Sequence, residues 1–224
     1  MDEPNILTEC ALFRGLRRAQ IREMLPCLSA RQARFRRGQF LLRAGDRASS
    51  AGIILSGEAE VLQEDFWGNR SLLGRAGPGD LFAEAFACAG VLRLPVSVEA
   101  CEPTDVLLLD AGRLSAVCPA ACPHHTQMIR NLLRLMAEKN VGLARKVEHM
   151  ARRTTRDKLL SYLSAEARRS GGSAFSIPFN RQQLADYLAV DRSAMCSELS
   201  RLRDEGLLDF HRSAFVLRQE LERI

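Results

Sequence analysis

Apolar residues follow three rhythms along the chain. Over the first thirty residues Leu12, Phe13, Leu16, Ile21, Met24, Leu25 and Leu28 recur at three- and four-residue spacing, which predicts helix. From Arg34 to Leu109 short apolar or alternating runs are separated by Gly38, Gly45, Gly57, Gly68, Gly74, Gly77 and Gly79, the pattern of strands and turns. Residues 52–62 read as two strands pivoting on a tight turn at Ser56-Gly57, and residues 66–70 as a hairpin tip. Pro78-Gly79-Asp80 is a further turn, and residues 97–100 and 105–109 are further strands. Many short strands so spaced predict a small sandwich or barrel. Beyond Cys118 the rhythm is helical again. Ile129, Leu133, Met136, Asn140, Leu143, Val147 and Met150 lie 4, 3, 4, 3, 4 and 3 residues apart, a heptad seam with Asn140 alone among apolar a positions. A lone Asn there sets register and a two-stranded state at some cost in stability. The strict 3.5 period predicts a parallel dimer helix rather than one helix packed only on its own domain.

From Thr155 onward the chain reads as a helical unit ending in strands. Asn180 and Gln183 have the spacing of a capping box and open a helix through Leu184, Ala185, Tyr187 and Leu188. The helix breaks at Ala189-Val190-Asp191, and Asp191 caps a second helix over residues 192–203. Leu184, Leu188, Val190, Met195, Leu199 and Leu202 supply the core between the two, and small Ala185 lets them cross closely. This is a helix-turn-helix, whose second helix enters the major groove of DNA. Gly206 ends that helix, and residues 207–211 and 214–217 are the two strands of a wing.

Composition narrows the class. The chain has 224 residues, 46% of them hydrophobic and 26% charged, as in an ordinary globular protein. Seven scattered cysteines, an odd number, argue against a disulfide scaffold and for reduced thiols. The N-terminus, Met1-Asp2-Glu3-Pro4, lacks the pattern of a signal peptide, and no apolar run approaches the roughly 20 residues of a membrane span, so a cytoplasmic protein away from membranes is expected. No nucleophile–base set, phosphate loop or catalytic carboxylate pair is legible, which argues against an enzyme. The net charge of +5 permits a polyanion partner, but it is unevenly placed. Residues 153–224 hold 12 basic against 10 acidic groups, whereas residues 14–47 hold 10 against 2.

The helix-turn-helix stretch resembles the DNA-binding domain of the Crp/Fnr family of bacterial transcription regulators. Gly45-Asp46, residues 52–57 and residues 78–84 resemble the glycine-marked strands of that family's cyclic-nucleotide-binding β-roll, and the heptad helix stands where the family has its dimer helix. The resemblance implies an α+β fold: a double-stranded, jelly-roll-like β-roll over 1–125, a dimerisation helix over 126–152 and a winged helix-turn-helix over 153–224. It implies a homodimer on a palindromic DNA operator, with RNA polymerase as a further partner. Arg192, Ser193, Ala194 and Ser197 are expected to face base edges, while Arg181, Gln182, Arg201, Arg203 and Arg212 are placed for the phosphate backbone. Ser193 and Ser197 depart from the acid and base that many members carry there, so the usual half-site does not transfer. The rival reading is a sensing module whose basic helix-turn-helix contacts protein only.

The sensor departs further. Cyclic-AMP-responsive relatives hold the ribose and cyclic phosphate with a Gly-Glu helix and a following Arg-Ser. Here the matches are Ala83-Glu84 and Leu94-Pro95, with Arg93 one residue early on a strand whose facing alternates. Burying a phosphate without a cation is costly, which argues against a cyclic nucleotide. Phe82, Ala83, Glu84, Arg93 and Ser97 remain the candidate effector residues for an unidentified small molecule. Only Cys10 and Cys27 lie where iron-sulfur members cluster cysteines, so no such cluster is expected. Cys118, Cys122 and His124 have a spacing open to a soft metal or a redox pair, but the prolines beside them favour a structural helix start.

Overall fold

A computed structural model describes residues 6–68, 70–116 and 122–218 and divides the chain into two compact units, Met1–Ala137 and Glu138–Ile224. The first helical rhythm becomes α1 (Ile6–Glu9), a 3-10 turn (Ala11–Phe13) and α2 (Arg18–Met24). The glycine-punctuated region becomes β1 (Arg31–Phe35), β2 (Phe40–Leu42), β3 (Ser50–Ser56), β4 (Ala59–Glu64), β5 (Arg70–Ala76), β6 (Leu81–Phe82), α3 (Glu84–Cys88), β7 (Ser97–Ala100), β8 (Thr104–Asp110) and α4 (Ala111–Ser115). Two four-stranded antiparallel sheets result, in the orders β1-β8-β3-β6 and β2-β7-β4-β5.

The two strands read at residues 52–62 are both present, but they do not form a hairpin. β3 pairs with β8 and β6, whereas β4 pairs with β7 and β5. The turn at Ser56-Gly57 instead carries the chain from one sheet to the other. Gly57 has φ +82°, and a Cβ there would stand 2.5 Å from the Pro103 carbonyl oxygen, so only glycine fits.

β3 is covered on both faces, which explains its continuous rather than alternating apolar run. Ile53 joins a core formed with α2, α4 and the following long helix; Ile54 joins a second core between the sheets with Phe82, Val98 and Val106. Gly52 is the point of closest approach, because a Cβ there would meet the Phe82 ring at 2.0 Å.

α5 (Pro123–Met150) is a 28-residue helix. In the first unit its Met128, Leu132 and Leu135 pack on the domain core, and buried Asn131 donates to the main-chain oxygens of Leu12 (2.9 Å) and Arg14 (2.8 Å). Ile129 and Met136 are half-buried against the same core. The remaining seam stays bare: Leu133, Leu143 and Val147 are 64%, 61% and 64% exposed, and Asn140 and Met150 are exposed beside them.

The second unit continues with α6 (Thr155–Ser170), β9 (Ala174–Ser176), α7 (Arg181–Leu188), α8 (Arg192–Asp204), β10 (Leu208–His211) and β11 (Ala214–Leu217). The three strands form an antiparallel sheet in the order β10-β11-β9. Its core holds Leu184, Ala185, Leu188, Met195, Leu199 and Leu202 with Leu159, Leu163 and Phe215, and each large apolar side chain so buried stabilises the unit by about 1.5–3 kcal/mol. No helix among the described residues is long and apolar enough to cross a membrane.

Candidate nucleic-acid interface

The helix-turn-helix is set by caps at both helix starts. Asn180 Oδ1 accepts from the Gln183 amide at 2.9 Å, and Gln183 Oε1 accepts from the Asn180 amide at 2.8 Å, closing the capping box. Ala189 ends α7 in the left-handed region (φ +49°), and Asp191 Oδ1 accepts from the Ala194 amide at 2.8 Å to start α8. With Met195, Leu199 and Leu202 buried, helical spacing turns Ser193, Ser197 and Arg201 onto the opposite ridge, and Arg192, Ser193, Ala194, Ser197 and Arg201 are all exposed.

Ion pairs hold α8 while masking its acids. Arg156 on α6 pairs with Glu198 at 3.2 Å and with Glu205, and Arg201 approaches Glu198 at 3.6 Å. The Arg156 hydrogen bond holds the Glu205 carboxyl below the ordinary carboxylate range. Two carboxylates that would repel a phosphate are thereby neutralised locally.

The basic residues around the wing are positioned by aromatic rings, which spacing alone did not foresee. The Arg181 guanidinium lies 4.8 Å from the Phe210 ring centre and 5.2 Å from that of Phe215, and burial pushes its pKa down. Arg203 lies 5.0 Å from Phe210. These stacks tie the wing to α7 and α8 and fix two guanidinium planes. Gln182 donates to Asp186 Oδ1 at 2.9 Å. Arg212, exposed at the wing turn, has φ +52°, a strained position for a side chain. An open groove of about 530 Å³ runs between Pro178, Asn180, Arg181, Gln183 and Arg212.

In the sensor, Arg93 donates to the Gly45 carbonyl at 2.6 Å, and Ser97 Oγ accepts from the Ala44 amide at 3.0 Å. Both candidates therefore meet on one turn. Phe82 is buried between the sheets; Ala83 precedes α3 in the left-handed region (φ +59°), and Glu84 is buried at the helix start. Leu94 is buried and apolar. Cys122 and His124 are half-buried, and Cys118 lies outside the described residues. His125 beside them is buried: its Nε2 hydrogen-bonds the Arg113 carbonyl at 3.1 Å, while its Nδ1 has no partner among the described residues. Among those residues no group of three or more His, Cys, Asp and Glu side chains is arranged to hold a metal.

A two-sheet sensor-like unit followed by a winged helix-turn-helix defines a DNA-binding regulator. Comparison with known proteins gives the same order. Residues 32–120 match the family model described as a cyclic nucleotide-binding domain, and residues 157–224 match the Crp-like helix-turn-helix domain. The transcriptional activator protein FnrL of Cereibacter sphaeroides is 22% identical over 85% of this chain and 77% of its own length. The catabolite activator protein of Thermus thermophilus shares the fold at 21% identity, with a TM-score of 0.50 over 93% of both chains. The c-di-GMP-responsive global regulator CLP of Xanthomonas campestris shares it at 17% identity and a TM-score of 0.58, over 90% of this chain and 99% of its own. The chain belongs to the Crp/Fnr family of transcription regulators; it binds DNA and is not an enzyme.

Proposed function

We propose that this regulator is a cytoplasmic homodimer paired along α5 that reads a palindromic operator with α8 in each major groove. The observation that carries this is the bare heptad stripe of Leu133, Leu143 and Val147, an exposed apolar seam that a second copy of the helix would bury. A two-fold dimer presents two recognition helices, so half-sites lie about one helical turn apart. Arg192, Ser193, Ala194 and Ser197 face the bases. Arg201, Arg203 and Arg212, with Gln182 and the wing-stacked Arg181, hold phosphates. The strained φ of Arg212 supports this role, because glycine would be the relaxed choice at that turn and this chain places an arginine there. Selection of bound fragments from random genomic DNA, followed by Arg192→Ala with Ser197→Ala, tests the interface. Loss of sequence-selective retention is expected; indifference would favour a helix-turn-helix that contacts protein only.

The effector is a small molecule other than a cyclic nucleotide. Supporting this, Leu94 offers no cation at the phosphate position, and Arg93 is engaged by the Gly45 carbonyl. Native mass spectrometry with metal analysis, on protein purified without oxygen, identifies a retained ligand. Cyclic AMP bound at micromolar affinity would overturn this part of the reading, and stoichiometric metal would reopen the role of Cys118, Cys122 and His124. Contact with RNA polymerase follows if the bound dimer activates transcription in a purified system.

A further inference from the structure

Two acids on α8 stand around one arginine of its DNA-facing ridge. Glu198 lies three residues before Arg201 and Glu205 four residues after it, so both are its neighbours on the helix surface. Glu198 is the more demanding of the two. Its side chain is only 14% exposed, and a half-buried carboxylate is costly without a cation. Its oxygens are divided between two arginines. Oε1 accepts a hydrogen bond from Arg156 Nη1 at 3.2 Å, whereas Oε2 faces Arg201 Nη1 at 3.6 Å, too far for one. The same Arg156 guanidinium donates from Nη1 to Glu205 Oε1 at 3.0 Å and from Nη2 to Glu205 Oε2. Arg156 on α6 thus grips α8 at two points seven residues apart, about 10 Å along its axis. Arg201 keeps a side chain 73% exposed.

From this arrangement we infer that Arg156 is a positioning residue for DNA binding: by satisfying Glu198 and Glu205 it releases Arg201 to hold a phosphate. The inference rests on the reading of Arg201 as a phosphate contact, and its test separates the two. Charge and burial support it. Among the described residues the ion pairs of Glu198 are those with Arg156 and Arg201. Without Arg156, two carboxylates are left beside one flexible arginine, and Glu198, largely shut away from water, has the stronger claim on it. Arg201 then folds back along α8, and a guanidinium engaged there releases no counterion from DNA. An arginine suits position 156, because its planar fork meets two carboxylates at once, whereas an ammonium is a point charge. Arg156 therefore acts on the duplex through Arg201 rather than by touching it.

The full-length protein is titrated with a selected operator duplex over a range of salt, as the natural chain and as Arg201→Ala, Arg156→Gln and the double variant. Arg201→Ala should make the salt slope shallower by about 1 per protomer. Arg156→Gln should do the same, with binding weaker by roughly 3- to 10-fold near 0.1 M salt. In the double variant the second loss largely disappears, because both changes remove the same contact. Adding Glu198→Gln and Glu205→Gln to Arg156→Gln restores the slope only where Arg201 is present. Arg156→Lys keeps the charge without the fork and gives a smaller loss of the same sign, which carries the test if Arg156→Gln unfolds under assay conditions. Equal losses from Arg156→Gln with and without Arg201 overturn the inference, because Arg156 would then act through its own charge, and so does an unchanged slope. Arg201→Ala with the natural slope overturns the phosphate reading of Arg201 and the inference with it.

Discussion

Among the described residues Ser29, Ala83, Ala189 and Arg212 have a positive φ, where backbone geometry favours glycine. Ala83 and Ala189 occupy left-handed positions at the start of α3 and the end of α7. Ala189 is exposed, so Ala189→Gly is expected to raise stability by about 0.5–1 kcal/mol, read from urea unfolding, whereas the Ala83 methyl packs on the core between the sheets and Ala83→Gly gives up part of that gain. Arg212 differs, because its side chain has a proposed use. Arg212→Gly relaxes the wing turn and leaves stability equal or higher, yet operator affinity falls and the salt slope becomes shallower by about 1. A variant that loses stability instead would show the arginine to be structural. His149 gives a residue-scale pH dependence. It is buried, its Nδ1 lies 2.8 Å from Ser161 Oγ, and its ring stands edge-on to Tyr162 at 5.8 Å. Burial pushes its pKa below the ordinary value despite the opposing Glu148 and Glu166. The unfolded chain therefore takes up the proton first. The contribution of neutral His149 is complete above roughly pH 6.5 and is lost as pH falls from there through the folded-state value. His149→Gln should flatten that part of the stability profile of the full chain, measured by thermal melting across pH 5–8 as an approximate range.

At the scale of elements, what the sequence showed best was what local chemistry decides. Asn180 with Gln183, and Asp191 with the Ala194 amide, satisfy helix-start donors within three residues, so α7 and α8 were legible almost to their ends. Asn180→Ala should cost about 1 kcal/mol, because it removes the Oδ1 that accepts from the Gln183 amide and leaves only the backbone half of the capping box. The turn at Ser56-Gly57 was legible as a turn but not as a change of sheet. Strand partners are chosen by contacts distant in sequence, and β3 finds Leu107 and Leu81 rather than the adjacent β4. The apolar register of β3 was equally hard to read, since burial on both faces erases alternation. On α5 the heptad stripe concealed a second one. Met128, Leu132 and Leu135 repeat at 4 and 3 residues one face away, and with Asn131 they seat the helix on its own domain. That spacing was present in the sequence, but nothing local told which stripe the domain would take.

At the scale of the molecule, the exposed half of that helix becomes an assembly prediction. Leu143→Glu with Val147→Glu puts like charges across the proposed seam. It should convert the dimer to monomers in sedimentation at micromolar concentration and lower affinity for a palindromic operator by roughly 100-fold or more. Asn140→Val should strengthen association while loosening the preference for two strands. Charge at this scale also acts differently from what its sum suggests. The second unit is only slightly basic over residues 153–224, and its DNA face depends on placement: Arg156 masks Glu198 and Glu205, while Phe210 and Phe215 orient Arg181 and Arg203. The sequence by itself determined the order of elements, the caps, the heptad seam and the family, because periodicity and capping are short-range and survive without coordinates. Only the tertiary structure decided which sheet each strand joins, which stripe of α5 remains bare, and how Arg181 and Arg203 stack on the wing. Those outcomes depend on which distant residues compete for the same buried surface, and that competition is settled only when the chain is packed.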